Sequence, residues 1–265
     1  MSEGDINYPT STHKRRRKRV GKTPAQKRRE ERRKAQIEEV EDEEGKFLCR
    51  KPTYFNEVAA TGSDFRTVLK DNERLSDGIV DMFGAVLQKK YERNLYITIY
   101  VMNKIKFDPE KTAGKVATNP KCKDFFNMEK ILFPVHVGQR GQAHWLCLVL
   151  EVKEGILKEY NSLSHVKRKE IESVKMKINK FLVSLHEKMY KHKMEGQYDP
   201  ITFKEKAVPC TQQPSGSLNC GIWLCTYLLA VCQTSVDRKE DIQIREDQMA
   251  DIRKDISQII HRGYI

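Results

Sequence analysis

The chain has 265 residues, with 38% hydrophobic and 32% charged side chains, and 49 Lys plus Arg against 37 Asp plus Glu, a formal net charge of +12. The apolar share is below the roughly 45–50% of an average globular domain, so part of the chain is expected to lie outside a packed core. No apolar run reaches the ~18 residues of a membrane span. The first twenty residues hold no apolar secretory core. Seven cysteines without an export signal point to reduced thiols inside a cell. No Cys-x-x-Cys pair, His-Glu-x-x-His helix or glycine-rich phosphate loop occurs, so neither a metal nor a cofactor is expected.

In chain order, the first feature is electrostatic. Between His13 and Lys34 stand thirteen Lys or Arg and two Glu, followed by the acidic block Glu38, Glu39, Glu41, Asp42, Glu43 and Glu44. Too few apolar residues precede Phe47 to offset the entropy of ordering, so 1–45 reads as a disordered tail. The clusters Lys14–Arg19 and Lys27–Arg29 have the pattern of a nuclear import signal read by an import receptor, placing the protein in the nucleus. A nucleic-acid-binding arm is the rival reading, although no aromatic side chains interleave for base stacking.

The body is expected over 46–265. Ile79, Val80, Met82, Phe83, Val86 and Leu87 recur at helical spacing between Ser76 and Tyr91. Residues 131–137 and 145–150 read as short, apolar, buried strands, and 156–160 as a third strand after the Gly155 turn. A long helical pattern runs from Ser164 to Lys191. Asn219 to Cys232 is an apolar segment of helical length, and Ile242 to Ile260 a charged amphipathic helix. Strands in mid-chain with helices on both sides give an α+β class. A monomer is the default, with no membrane association.

Three segments carry chemistry. They are Ala143-His144-Trp145, opening a strand; Tyr160-Asn161-Ser162-Leu163, closing the next; and Gln212-Gln213-Pro214 running through Asn219-Cys220-Gly221 into the apolar helix. A cysteine at a helix N-terminus meets free N–H groups that favour a thiolate. A histidine can take its proton, and an Asn or Asp can fix the tautomer of that histidine. Taken singly, each residue has a plainer reading: Cys220 as a buried helical cysteine, His144 as a strand histidine, Asn161 as a turn residue.

The order His-Trp, Tyr-Asn-Ser-Leu, Gln-Gln-Pro…Asn-Cys-Gly resembles the SUMO-specific, ubiquitin-like-protein-specific cysteine protease family, relatives of the adenovirus protease. Leu75-Ser76-Asp77, Phe133-Pro134-Val135-His136, and Glu246-Asp247-Gln248-Met249 followed by Arg253 extend the resemblance over about 66–262. It implies a papain-like α+β fold with a central mixed sheet and the nucleophile at a helix N-terminus. By resemblance, Cys220 is the nucleophile, His144 the general base and acid, and Asn161 the orienting residue. Gln213 or Gln212 is the oxyanion donor. Trp145 lines a tunnel for a Gly-Gly tail, Gly221 lets the substrate backbone approach closely, Asp77 contacts the modifier, and Gln212 is counted with these substrate-binding residues. The implied activity is cleavage after the C-terminal Gly-Gly of SUMO or a related modifier, in deconjugation or precursor processing. A modifier-binding adaptor of weak activity, or a nuclear nucleic-acid-associated protein, are the alternatives.

The sequence departs from the family pattern in four places. Asn161 stands where most members have Asp, and an Asp would be expected to favour imidazolium. Six residues separate Gln213 from Cys220, one more than usual. Arg74 replaces a lid Trp, and Asn219 replaces an Asp.

Overall fold

The computed structural model describes residues 47–71, 73–138, 143–191, 201–234 and 245–262. The expected tail over 1–45, with its import signal, lies outside the described residues.

A hairpin opens the body, β1 (Phe47–Pro52) pairing antiparallel with β2 (Glu57–Thr61). Helix α1 (Gly62–Leu69) follows at once. Thr61 accepts from the Asp64 backbone N–H while Asp64 accepts from the Thr61 N–H, a reciprocal capping box. Helix α2 (Asp77–Lys90) starts on Ser76, whose hydroxyl accepts from the Ile79 N–H. This matches the expected helix within a residue.

The remaining elements are β3 (Asn94–Tyr96), α3 (Ile99–Phe107), α4 (Pro109–Ala117), β4 (Lys130–Val137), β5 (His144–Glu151), β6 (Ile156–Tyr160), α5 (Arg168–Tyr190), β7 (Lys204–Ala207), α6 (Cys220–Gln233) and α7 (Met249–Arg262). Five strands form one sheet in the order β3-β4-β5-β6-β7. The central pairs β4–β5 and β5–β6 are antiparallel, and the outer pairs β3–β4 and β6–β7 parallel, which makes the sheet mixed as expected.

The sheet is covered on both faces, which explains the unbroken apolar run of β5. Trp145, Cys147 and Val149 point into a core built with α1, α2, α6 and α7. Leu146, Leu148 and Leu150 point into a second core built with α3, α4 and α5. Helix α6 is apolar on every side because it is enclosed by β5, α2 and α7. Its far end is closed by a buried lysine from β4. Lys130 Nζ donates to the carbonyls of Val231 at 2.6 Å and Thr234 at 2.8 Å. Among the described residues no helix is long and apolar enough to cross a membrane.

Candidate active site

Two features of the topology gather the sequence-marked residues. Antiparallel pairing of β5 and β6 sets Tyr160 opposite Cys147, so the residues after β6 lie beside the first residues of β5. Packing of α6 on β5 brings the first turn of that helix to the same end of the sheet.

His144 is the first residue of β5 and Asn161 follows the last of β6. Their side chains meet at 2.8 Å, His144 Nε2 to Asn161 Oδ1. Since Asn161 Oδ1 only accepts, Nε2 carries the proton and Nδ1 the lone pair. Asn161 Oδ1 also accepts from the Leu163 N–H at 3.0 Å. Nδ1 of His144 is buried and has no hydrogen-bond partner among the described residues. Burial holds the imidazole pKa below its ordinary 6.5, opposed by the Asn161 bond and reinforced by the charges of His136 and Arg74.

Cys220 is the first residue of α6 and is 2% exposed. Burial pushes its thiol up from the ordinary 9.0. The Trp145 backbone N–H, the positive Arg74, and the N–H groups of Gly221 and Cys220 oppose that rise. The Trp145 amide thus places the sulfur beside the His144-Trp145 step. Arg74 donates to the carbonyl of Ala143, immediately before His144. Burial thus works on both groups in the direction of their neutral forms.

The two glutamines are told apart by burial and partners. Gln213 is 5% exposed; its backbone N–H donates to Ser162 O, its Oε1 accepts from the Ser162 hydroxyl, and its Nε2 donates to Ser217 O at 3.2 Å. Gln212 is exposed. Its Nε2 donates to Asn161 O and Cys210 O, and its Oε1 accepts from the Ser164 N–H, so it clamps the loop to the end of β6.

Trp145 is buried and packs against the half-buried His136 ring on β4, with centroids 4.5 Å apart. Asp77 is exposed at the start of α2, and its charge reaches His136 and Lys106 on the same rim. Gly221 lies against Leu75, where an added Cβ would stand 2.8 Å from the Leu75 Cβ. Tyr160 is wholly buried.

Several bonding roles were not read from sequence. Arg253, 2% exposed, donates to Asn219 Oδ1, Thr67 O and Glu73 O. Asn219 Nδ2 in turn donates to Glu246 Oε1 at 2.7 Å. This brace ties α7 and α1 to the residue before Cys220 and the residue before Arg74. Asn219 fits the place because one amide accepts from the guanidinium and donates to the carboxylate. Behind Asn161 lies Glu159, whose Oε1 accepts from Asn161 Nδ2 at 3.1 Å. Among the described residues no group of three or more His, Cys, Asp or Glu is placed to hold a metal.

Residues 85–263 match the sequence profile of the Ulp1 protease family, C-terminal catalytic domain. The chain belongs to this family. It is therefore a cysteine protease, and Cys220 stands at a helix N-terminus, as expected. Among solved structures it resembles the C-terminal Ulp1 protease domain in complex with Smt3, the yeast ortholog of SUMO. The TM-score is 0.62 at 18% identity, covering 88% of this chain and 95% of that one. It also resembles the Ulp1-like SUMO protease catalytic domain of Chaetomium thermophilum, with TM-score 0.61 at 13% identity over 88% and 90%. A de-sumoylating protease gives 0.61 at 17% identity over 83% and 92%. At such identities the likeness is one of fold. No curated protein matches the chain.

Proposed function

We propose that this member of the Ulp1 family is an isopeptidase or precursor-processing peptidase that cleaves after the C-terminal Gly-Gly of SUMO or a related ubiquitin-like modifier. The observation that carries the reading is the 2.8 Å bond from His144 Nε2 to Asn161, which leaves a buried, unpartnered Nδ1 as base. In the reaction, the Cys220 thiol gives its proton to His144 Nδ1 as the sulfur attacks the carbonyl carbon of the terminal glycine. The oxyanion is held by the Cys220 backbone N–H and by Gln213 Nε2–H, which exchanges Ser217 O for it. On collapse, the Nδ1 proton passes to the leaving amine. Water, deprotonated by the same nitrogen, then hydrolyses the thioester and frees the carboxylate and the thiol.

Solved structures of the fold include one complexed with a SUMO ortholog, which supports the modifier class. The test is cleavage of a C-terminally extended SUMO by the full chain, read on a gel beside Cys220→Ala. Cleavage lost in the variant supports the reading. Uncleaved but tightly bound SUMO would instead identify an adaptor. The basic clusters of 13–34 support nuclear import; a fusion lacking 1–45 that remains nuclear would refute that part.

A further inference from the structure

An asparagine opposite a catalytic histidine has two orientations of nearly equal shape. With Oδ1 toward His144, Nε2 is protonated and Nδ1 is a base. With Nδ2 toward His144, the tautomer reverses and Nδ1 holds a proton it cannot use. Some neighbour must choose between them.

Two neighbours do so: the Leu163 N–H, which donates to Oδ1, and the Glu159 carboxylate, the charged and titratable one of the two. Glu159 stands two residues before Asn161 at the end of β6, so both side chains leave the strand on one side. It is 3% exposed, and a carboxylate accepts hydrogen bonds only. Its Oε1 takes the Asn161 Nδ2–H at 3.1 Å, which forces Oδ1 toward His144. The carboxylate is held charged from α5: Arg168 Nη1 lies 2.5 Å from Oε1, and Lys175 Nζ lies 2.7 Å from Oε2. Burial alone would raise its pKa, but the bonds from Lys175, Asn161 and Arg168 outweigh it and keep the group below its ordinary value. Glu172 on α5 and Glu205 on β7 complete the cluster, each paired with Lys175, and Glu172 also with Arg168.

We infer that Glu159 is a positioning residue for the reaction: an ionised carboxylate that locks the Asn161 amide and through it the His144 tautomer. This rests on the reading of Cys220, His144 and Asn161 as the reacting set. It also reverses the expectation that an Asp at 161 improves the site. A carboxylate there would face Glu159 Oε1 at the distance Asn161 Nδ2 now occupies, and two carboxylates so close cannot both ionise. Exchanging the two groups restores the pair. With Glu159→Gln, an Asp at 161 accepts from the new amide, and the buried cluster keeps one negative charge for Lys175 and Arg168.

The test is the rate of Cys220 alkylation by iodoacetamide in the full chain, read on the Cys220 peptide by mass spectrometry across the neutral pH range. Melting curves are recorded for every variant. Asn161→Asp is expected to react about tenfold more slowly than wild type, within the range of coupling found between neighbours in one hydrogen-bonded network. Adding Glu159→Gln is expected to return the rate to near wild type, with a pH profile shifted by the carboxylate that now faces His144. An N161D variant as fast as wild type overturns the inference, as does a slow N161D that E159Q fails to rescue. Because alkylation needs no modifier, a wild-type chain that cleaves no modifier yet shows this pattern refutes the proposed function and retains the role of Glu159.

Discussion

Gly221→Ala puts one methyl group into a tight contact beside Cys220. The new Cβ would lie 2.8 Å from Leu75 Cβ, 3.1 Å from Cγ and 3.3 Å from Cδ1. Carbon atoms pack best at about 3.5–4.0 Å, so the first contact is short by roughly 0.7–1.2 Å. Leu75 Cβ is fixed to the backbone, and no rotamer change removes it. The 74–75 segment must move instead, and Arg74, which holds the Ala143 carbonyl next to His144, moves with it. Overpacking of this kind costs about 1–3 kcal/mol. The better helix propensity of Ala returns at most about 1 kcal/mol. The net loss is about 1–2 kcal/mol, or a fall in Tm of roughly 2–8 °C for a domain of this size. Turnover is expected to fall further than stability, about tenfold or more, because an ångström of misplacement at a reacting centre can cost up to about a hundredfold. Calorimetry and cleavage of an extended modifier by the full chain measure both. G221A melting at or above wild type with full turnover would refute the reasoning, since it would mean the Leu75 wall yields freely.

Three further outcomes follow from the buried groups. Lys130→Met removes the ammonium donor from Thr234 O and from Val231 O, which keeps only the Thr234 hydroxyl at 3.2 Å, and should lower stability by about 2 kcal/mol, read as a lower urea midpoint; an unchanged midpoint contradicts the capping role. Asp81 is raised to about 6 by burial, against bonds from the Ile99 N–H and the Tyr96 hydroxyl and with the Asp77 charge adding to the rise. The fold therefore prefers the protonated carboxyl, whose stabilising effect is full below pH 4 and lost as pH rises through about 6. Asp81→Asn should be more stable than wild type above pH 6, by about 1–2 kcal/mol, with the advantage vanishing toward pH 4; an advantage that grows on acidification contradicts this sign. Since burial lowers the His144 pKa, the acid half-point of kcat/KM should lie below 6.5, and a half-point above 6.5 would show a thiolate–imidazolium pair instead.

The two-faced burial of the sheet was legible because β5 is apolar at nearly every position, and the helix of Asp77–Lys90 because its apolar residues keep the 3.6 period. Ile99–Phe107 gave no such signal. Its Ile, Tyr, Val and Phe favour strands locally, yet it is helical, with Ile99 N–H held by Asp81 and Val101, Met102 and Ile105 in the core. Strand β7, Lys204–Ala207, is exposed at every position and exists only through its parallel pairing with β6. The site divides in the same way. Cys220, His144 and Asn161 are recognisable by type and order, whereas Glu159 looks in sequence like an ordinary surface charge and the bonds of Arg253 to Asn219 are not visible there. Spacing alone left Gln212 and Gln213 open, and burial separates them.

The most direct test of the account is covalent capture of Cys220. The full chain is mixed with SUMO, NEDD8 and ubiquitin, each bearing an electrophile after its C-terminal Gly-Gly, and the mass of the product is measured beside Cys220→Ala. The account predicts that one modifier, SUMO or a close relative, adds its mass to the wild-type chain and none adds to the variant. A folded wild-type chain that no probe labels, or a Cys220→Ala variant that is still labelled, would contradict it.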